Sequence, residues 1–106
     1  EDKIINCISG KIFFVAVNLD KKTKNYLHYF SIILSENDNK AIFIPKTYGT
    51  AFMTLKDNSN ILYFMSKPYN PKFSRGLKYD DKLINIKWPY KPKVISKKDN
   101  NLKYIK

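Results

Sequence analysis

The stretch AIFIPKTYGTAFMTLKDNSNILYFMS, residues 41–66, decides how this chain is to be read. It predicts three short strands joined by two turns. Ala41 to Ile44 is apolar and stops at Pro45, which has no N–H to give a sheet ladder. From Thr50 to Leu55 the residues alternate, with Ala51, Met53 and Leu55 on one side and Thr50, Phe52 and Thr54 on the other. Ile61 to Met65 alternates as well, which sets Tyr63 on the face of Ile61 and Met65. Between these runs, Lys56-Asp57-Asn58-Ser59-Asn60 holds no apolar residue and marks a turn. Thr50, Phe52 and Tyr63 are the side chains here that could meet a ligand.

Working outward, Lys3 to Ser9 (KIINCIS) and Lys11 to Asn18 (KIFFVAVN) are β-like and separated by Gly10. Residues 12–17 are apolar on both faces, so both should be covered. Asp20 to Asn25 is a charged connection. Tyr26 to Leu34 alternates, placing His28, Phe30, Ile32 and Leu34 on one side, and Ser35 to Lys40 is a turn. Beyond Ser66 the character changes. Pro68, Pro71, Pro89 and Pro92 punctuate the remainder, and its apolar residues keep no period. The reading is one domain over residues 1–106, with strands in 1–67 and an extended arm in 68–106 that holds one short strand near Leu83 to Lys87. About seven strands, at spacings of roughly eight to twelve residues, predict an all-β antiparallel sandwich or barrel.

Composition limits the function classes. Of the 20 basic residues behind the net charge of +11, 19 are lysine and only Arg75 is arginine. Readers of phosphates and base edges lean on arginine for its flat bidentate fork. The lysines are scattered, and asparagine, isoleucine and tyrosine are abundant, so compositional bias accounts for most of the charge. A field that draws in an anionic nucleotide ranks second, and a nucleic-acid surface third. Asn6 and Lys11 interrupt the apolar residues 4–19, which argues against a signal peptide or membrane span. Neither a nucleic acid nor a membrane is expected as a partner. Cys7 has no second cysteine to pair with, in keeping with a reducing, cytoplasmic location.

Familiar reaction centres are hard to build from these residues. One histidine, one cysteine and scattered carboxylates do not make a metal site, so no metal and no cofactor are expected. The three glycines, Gly10, Gly49 and Gly76, form no phosphate loop. His28 alternates with Phe30 and Ile32, which predicts a strand position packed on the core or edge.

A specific order of landmarks runs through the chain. Lys3-Ile4-Ile5 is followed by Gly10 and by Phe14-Val15-Ala16-Val17-Asn18-Leu19. Leu34-Ser35, Ile44-Pro45, Leu62-Tyr63 and Tyr69 come next. Arg75-Gly76-Leu77-Lys78-Tyr79-Asp80, Trp88-Pro89 and Ser96-Lys97-Lys98-Asp99 close the series. In this order and spacing the chain resembles the dTDP-4-dehydrorhamnose 3,5-epimerases, nucleotide-sugar isomerases built on a cupin-type jelly roll.

The resemblance implies an antiparallel jelly-roll fold and proton removal and return beside the ketone of a 4-keto-deoxysugar nucleotide, a step towards polysaccharide precursors such as rhamnose. It implies a homodimer that exchanges N-terminal strands. It puts Tyr63 at the family's acid and Asp99 at the aspartate partnered with the base. Lys3 falls beside the substrate and its developing oxyanion, and Thr50 and Tyr69 fall at substrate-binding positions. The chemistry suits these types: a phenol of pKa about 10 is a serviceable acid for an enolate, and an ammonium stabilises charge growing on the oxygen.

Several positions depart from the family's pattern. The family's base histidine lies upstream of the Lys3-Ile4-Ile5 position, and the family's N-terminal strands are expected to be missing here. Thr50 stands where a second histidine belongs, Phe14 where an aspartate belongs, and Asp20 where an arginine belongs. Two readings follow: an epimerase whose base lies on a segment absent here, or a relative that binds a sugar nucleotide or other ligand without chemistry.

Overall fold

The two-sided apolar run in residues 12–17 settles the layering. A computed structural model describes residues 2–66, 77–91, 102 and 104. Among the described residues six strands form: β1 (Lys3–Ser9), β2 (Lys11–Asn18), β3 (Tyr29–Ser35), β4 (Ala41–Ile44), β5 (Tyr48–Thr54) and β6 (Asn60–Met65). They make two antiparallel sheets, ordered β4-β1-β6 and β3-β2-β5. The expected all-β architecture is what the chain adopts, and no helix occurs among the described residues.

The sheets face each other across one core. Ile5, Cys7 and Ile44 from one sheet meet Ile12, Phe14, Ala16 and Leu34 from the other. The opposite face of β2 is buried too. Val15 and Val17 lie under Leu77, Ile84 and Ile86, with Trp88 and Phe13 beside them. Both faces of residues 12–17 are therefore covered, the inner one by the second sheet and the outer one by the C-terminal segment.

That segment does not contain the expected strand at Leu83 to Lys87. Lys82 to Ile84 is a turn, fixed where Asp81 Oδ1 accepts the Leu83 N–H at 3.0 Å. Ile84 and Ile86 both point to the core, an arrangement that needs no ladder partner. Trp88 sets its ring edge-on to Phe13, with centroids 5.7 Å apart, and its indole N–H donates to the Tyr79 carbonyl at 2.7 Å.

β3 begins at Tyr29 rather than Tyr26. Residues 21–27 are turn, and Leu27 takes φ 68°, so its N–H donates to Asn18 O at 2.8 Å. His28 falls outside the strand and is exposed, against the expectation of a packed position. Asp20 also has a local role, its Oδ1 accepting the Lys22 N–H at 3.0 Å as aspartates in turns do.

The polar run after β5 joins strands of different sheets, so it is not a hairpin. The same is true of Gly10, the corner at which the chain passes from β1 to β2. Gly10 has φ 79°, and a Cβ there would meet Ser59 Oγ and lie 2.6 Å from Ser59 Cα. Ser59 cannot retreat, because its hydroxyl accepts the Lys11 N–H at 3.0 Å and lies 2.7 Å from the Lys56 carbonyl. Gly10→Ala is expected to cost about 2–4 kcal/mol, combining the left-handed backbone with backbone overlap. A urea titration checks it, and a loss within about 0.5 kcal/mol would show that the corner relaxes freely.

Candidate functional site

Which side chains can reach a ligand follows from strand parity. On β2 the even residues face the other sheet, and the ladder sets Thr50 opposite Ala16, Phe52 opposite Phe14 and Thr54 opposite Ile12. Thr50 and Phe52 therefore share the inner side, on the one face where their alternation groups them. On β1 the odd residues face inward, with Lys3 opposite Met65 and Ile5 opposite Tyr63. The inner wall thus brings Lys3, Thr50, Phe52 and Tyr63 to the same intersheet space.

Tyr63 is the most informative of these. Its ring is half-buried against the inner cluster. Its hydroxyl has no hydrogen-bond partner among the described residues, and it is not sealed from solvent. Burial raises its pKa above the usual phenol value. The group is held as a neutral donor with its proton unspent, which is what a general acid requires.

The shift has a sign in the pH dependence of stability. Below the unfolded-state pKa near 10 both states keep the proton, and folding is unaffected. As pH rises towards and through the raised folded value, the unfolded chain releases its proton first, so stability is lost. The fall in stability above pH 10 is expected to be shallower in Tyr63→Phe than in the unaltered chain, as denaturant midpoints at successive pH values will show.

Lys3 is half-buried at the start of β1. Phe14 is fully buried, so the position expected to carry an aspartate is instead packed among Ile5, Ile12, Leu34 and Ile44. Cys7 is buried in the same layer. Asp99 and Tyr69 lie outside the described residues. The sequence reading missed Tyr48, because it began β5 at Thr50. The strand starts two residues earlier, and Tyr48 packs against the inner cluster. Its even parity with Thr50 and Phe52 was the available signal.

An open depression of about 470 Å³, lined in part by Tyr79, Asp81, Trp88 and Tyr90, lies at the C-terminal segment. It is on the far side of β2 from Tyr63. The Trp88 N–H and an Asp81 oxygen are already engaged within the fold there. The intersheet space is the better site, since it has a free phenol and a half-buried ammonium.

A two-sheet antiparallel cup with polar groups on its inner wall defines a jelly roll of the cupin type. The whole chain, residues 1–106, matches the dTDP-4-dehydrorhamnose 3,5-epimerase family, and it belongs to that family. It is 32% identical over its full length to the dTDP-4-dehydrorhamnose 3,5-epimerase of Methanothermobacter thermautotrophicus, covering 59% of that protein. The corresponding Shigella flexneri protein is 30% identical over 95% of this chain, which covers 56% of the relative. Among solved structures, the Bacillus anthracis epimerase with TDP and PPi bound superposes with TM-score 0.92 at 27% identity, over 98% of this chain and 59% of the other. The chain therefore spans somewhat over half the length of the relatives it matches.

Proposed function

We propose that this chain carries part of the site of a nucleotide-sugar 3,5-epimerase, acting on a 4-keto-deoxysugar nucleotide. The observation that carries the reading is Tyr63, an inner-wall phenol with an unspent proton. In this reading a base removes the proton next to the ketone, and the enolate oxygen develops charge near Lys3. Tyr63 then delivers a proton from the opposite face and inverts the carbon. Asp99 orients the base and Tyr69 contacts substrate, both by family resemblance. Thr50 offers a hydroxyl rather than a titrating ring. The ligand is a dTDP-sugar, in line with relatives solved with TDP or with dTDP-4-keto-L-rhamnose bound. The working form is a homodimer in the cytoplasm.

One observation favours a second reading, a binder without chemistry. The inner faces of β2 and β5 hold no group that titrates near neutrality, because Phe14 and Thr50 occupy positions expected to carry an aspartate and a histidine. Incubating the chain with a 4-keto-6-deoxyhexose nucleotide in deuterated water separates the two. Deuterium gained next to the ketone supports the epimerase. No deuterium but saturable dTDP binding supports the binder, and neither result would overturn both.

A further inference from the structure

Tyr48 opens β5 and belongs to its inner face, two residues before Thr50. Its ring is half-buried against the inner cluster. Its hydroxyl makes no hydrogen bond among the described residues and is not sealed from solvent. A donor on the wall of the site is therefore left for a ligand, and the ladders say which part of the ligand it meets.

Levels in the two sheets can be counted from the Gly10 corner. β1 runs into it and β2 runs out of it, so Lys3 and Asn18, the far ends of these strands, lie at one end of the sandwich. Tyr48 is paired with Asn18. Lys3 and Tyr48 thus stand at the same level on opposite sheets. Tyr63, paired with Ile5, and Thr50, paired with Ala16, stand one level nearer the corner. Hydrogen bonds tie the two walls together at this end. The Lys46 N–H, in the connection from β4 to β5, donates at 2.9 Å to Asp2 Oδ1, next to Lys3. The Leu19 N–H donates to the Thr47 carbonyl at 3.1 Å, and the Tyr48 N–H donates to the Pro45 carbonyl at 3.0 Å. The backbone that carries Tyr48 is fixed before any ligand arrives.

We propose that the Tyr48 hydroxyl and the Lys3 ammonium donate to the same ligand oxygen, the ketone oxygen of the sugar. The proposal rests on the reading of this space as a 4-keto-deoxysugar nucleotide site and adds a residue to it. An ammonium is a point charge on a flexible stem and gives an oxygen no fixed direction. A phenol on a pinned strand supplies that direction, and donors from two walls hold the oxygen between them. Among the inward-facing residues of the six strands Lys3 is the one cation, which suits a single oxygen better than a diphosphate. When a base takes the proton beside the ketone, the C–H electron pair becomes the enolate double bond and the carbonyl pair moves onto this oxygen. Both donors then hold charge that was absent in the ground state, which is where such groups contribute most. Tyr48 keeps its own proton throughout, unlike Tyr63.

Calorimetric titration of the unaltered chain and of Tyr48→Phe, with dTDP and with a 4-keto-6-deoxyhexose nucleotide, tests the proposal. The variant keeps the ring and loses only a hydroxyl without a partner among the described residues, so an unchanged circular dichroism spectrum is expected. Its affinity for the keto-sugar nucleotide should fall about 3- to 10-fold, the size of one neutral hydrogen bond, while its affinity for dTDP holds. Where deuterium enters next to the ketone, the variant should slow retention and inversion alike, by about 10²- to 10³-fold at saturating ligand. Tyr63→Phe, by contrast, should slow inversion alone. Equal affinity of the two chains for the keto-sugar nucleotide, or undiminished exchange, would overturn the proposal and leave the epimerase and binder readings standing. An equal fall for both ligands would move Tyr48 to the diphosphate and overturn it as well. An unaltered chain that binds neither ligand would overturn those readings and the proposal with them.

Discussion

Tyr63→Phe is expected to slow inversion of the carbon next to the ketone by about 10²- to 10⁴-fold while leaving the fold intact, if the proposed epimerase reading holds. The size follows from what a positioned acid contributes to proton transfer, about 3–5 kcal/mol of barrier. The fold should tolerate the change because the hydroxyl holds no partner among the described residues, while the ring that packs on the inner cluster is kept. A stability change within about 0.5 kcal/mol is therefore expected. Stereochemistry gives the sharper readout. Removal and return of a proton on the base's own face need no phenol, so deuterium entering with retention should survive where inversion does not. Undiminished inversion in the variant would remove Tyr63 from the mechanism. Equal loss of retention and inversion would assign it to binding instead, and a matching fall in dTDP affinity would support that.

The parts of the fold that could be seen in advance were those set by period. Alternation from Thr50 to Leu55 and from Ile61 to Met65 put Thr50 with Phe52 on one face and Tyr63 with Ile61 on another, and the ladders show that both faces are the inner ones. The unbroken apolar run at 12–17 signalled a strand covered on both sides. Three features escaped because tertiary contacts, not local pattern, decide them. Tyr26 to His28 continues the alternation of β3, yet the backbone turns there because Asn18 takes the Leu27 and His28 segment into its own hydrogen bonds. Ile84 and Ile86 suggested a strand, but they pack on the outer face of β2 from a turn and an extended stretch. The pairing of strands into two sheets was not legible at all. Neither the Lys56–Asn60 turn nor Gly10 says whether the next strand folds back beside its predecessor or crosses to the other layer.

The candidate site was legible only as far as residue type and parity reach. The family's order of landmarks singled out Tyr63 and Lys3 as candidates, and the ladder puts both on the inner side. What a list of matched residues could not convey is that Phe14 is a core residue. It does not line an opening: its ring is wholly withdrawn from solvent among aliphatic neighbours. The difference from the family at this position is thus a repacking of the wall as well as the loss of a charge.

Restoring the acid at that position should therefore unfold the chain and not revive chemistry. Phe14→Asp deletes a fully buried aromatic ring, a loss of about 3–5 kcal/mol by itself. It also puts a carboxylate among Ile5, Ile12, Leu34 and Ile44, where an unpaired charge costs several kcal/mol more. Domains of this size hold about 5–15 kcal/mol in all, so the sum takes most or all of it. The carboxyl escapes part of the cost by keeping its proton, so its folded pKa is raised above the unfolded value near 4. A raised folded value means the residual stability is present below pH 4 and is lost as pH climbs through the folded pKa. The variant should be least folded at neutral pH and recover on mild acidification, opposite to the usual acid unfolding. Phe14→Leu, which keeps the site apolar, is expected to cost only about 1–2 kcal/mol. Urea titrations of the three chains at pH 4 and pH 7 decide the matter. A Phe14→Asp chain as stable at pH 7 as Phe14→Leu would mean that the wall opens to water at residue 14, and the aspartate could then serve a ligand there.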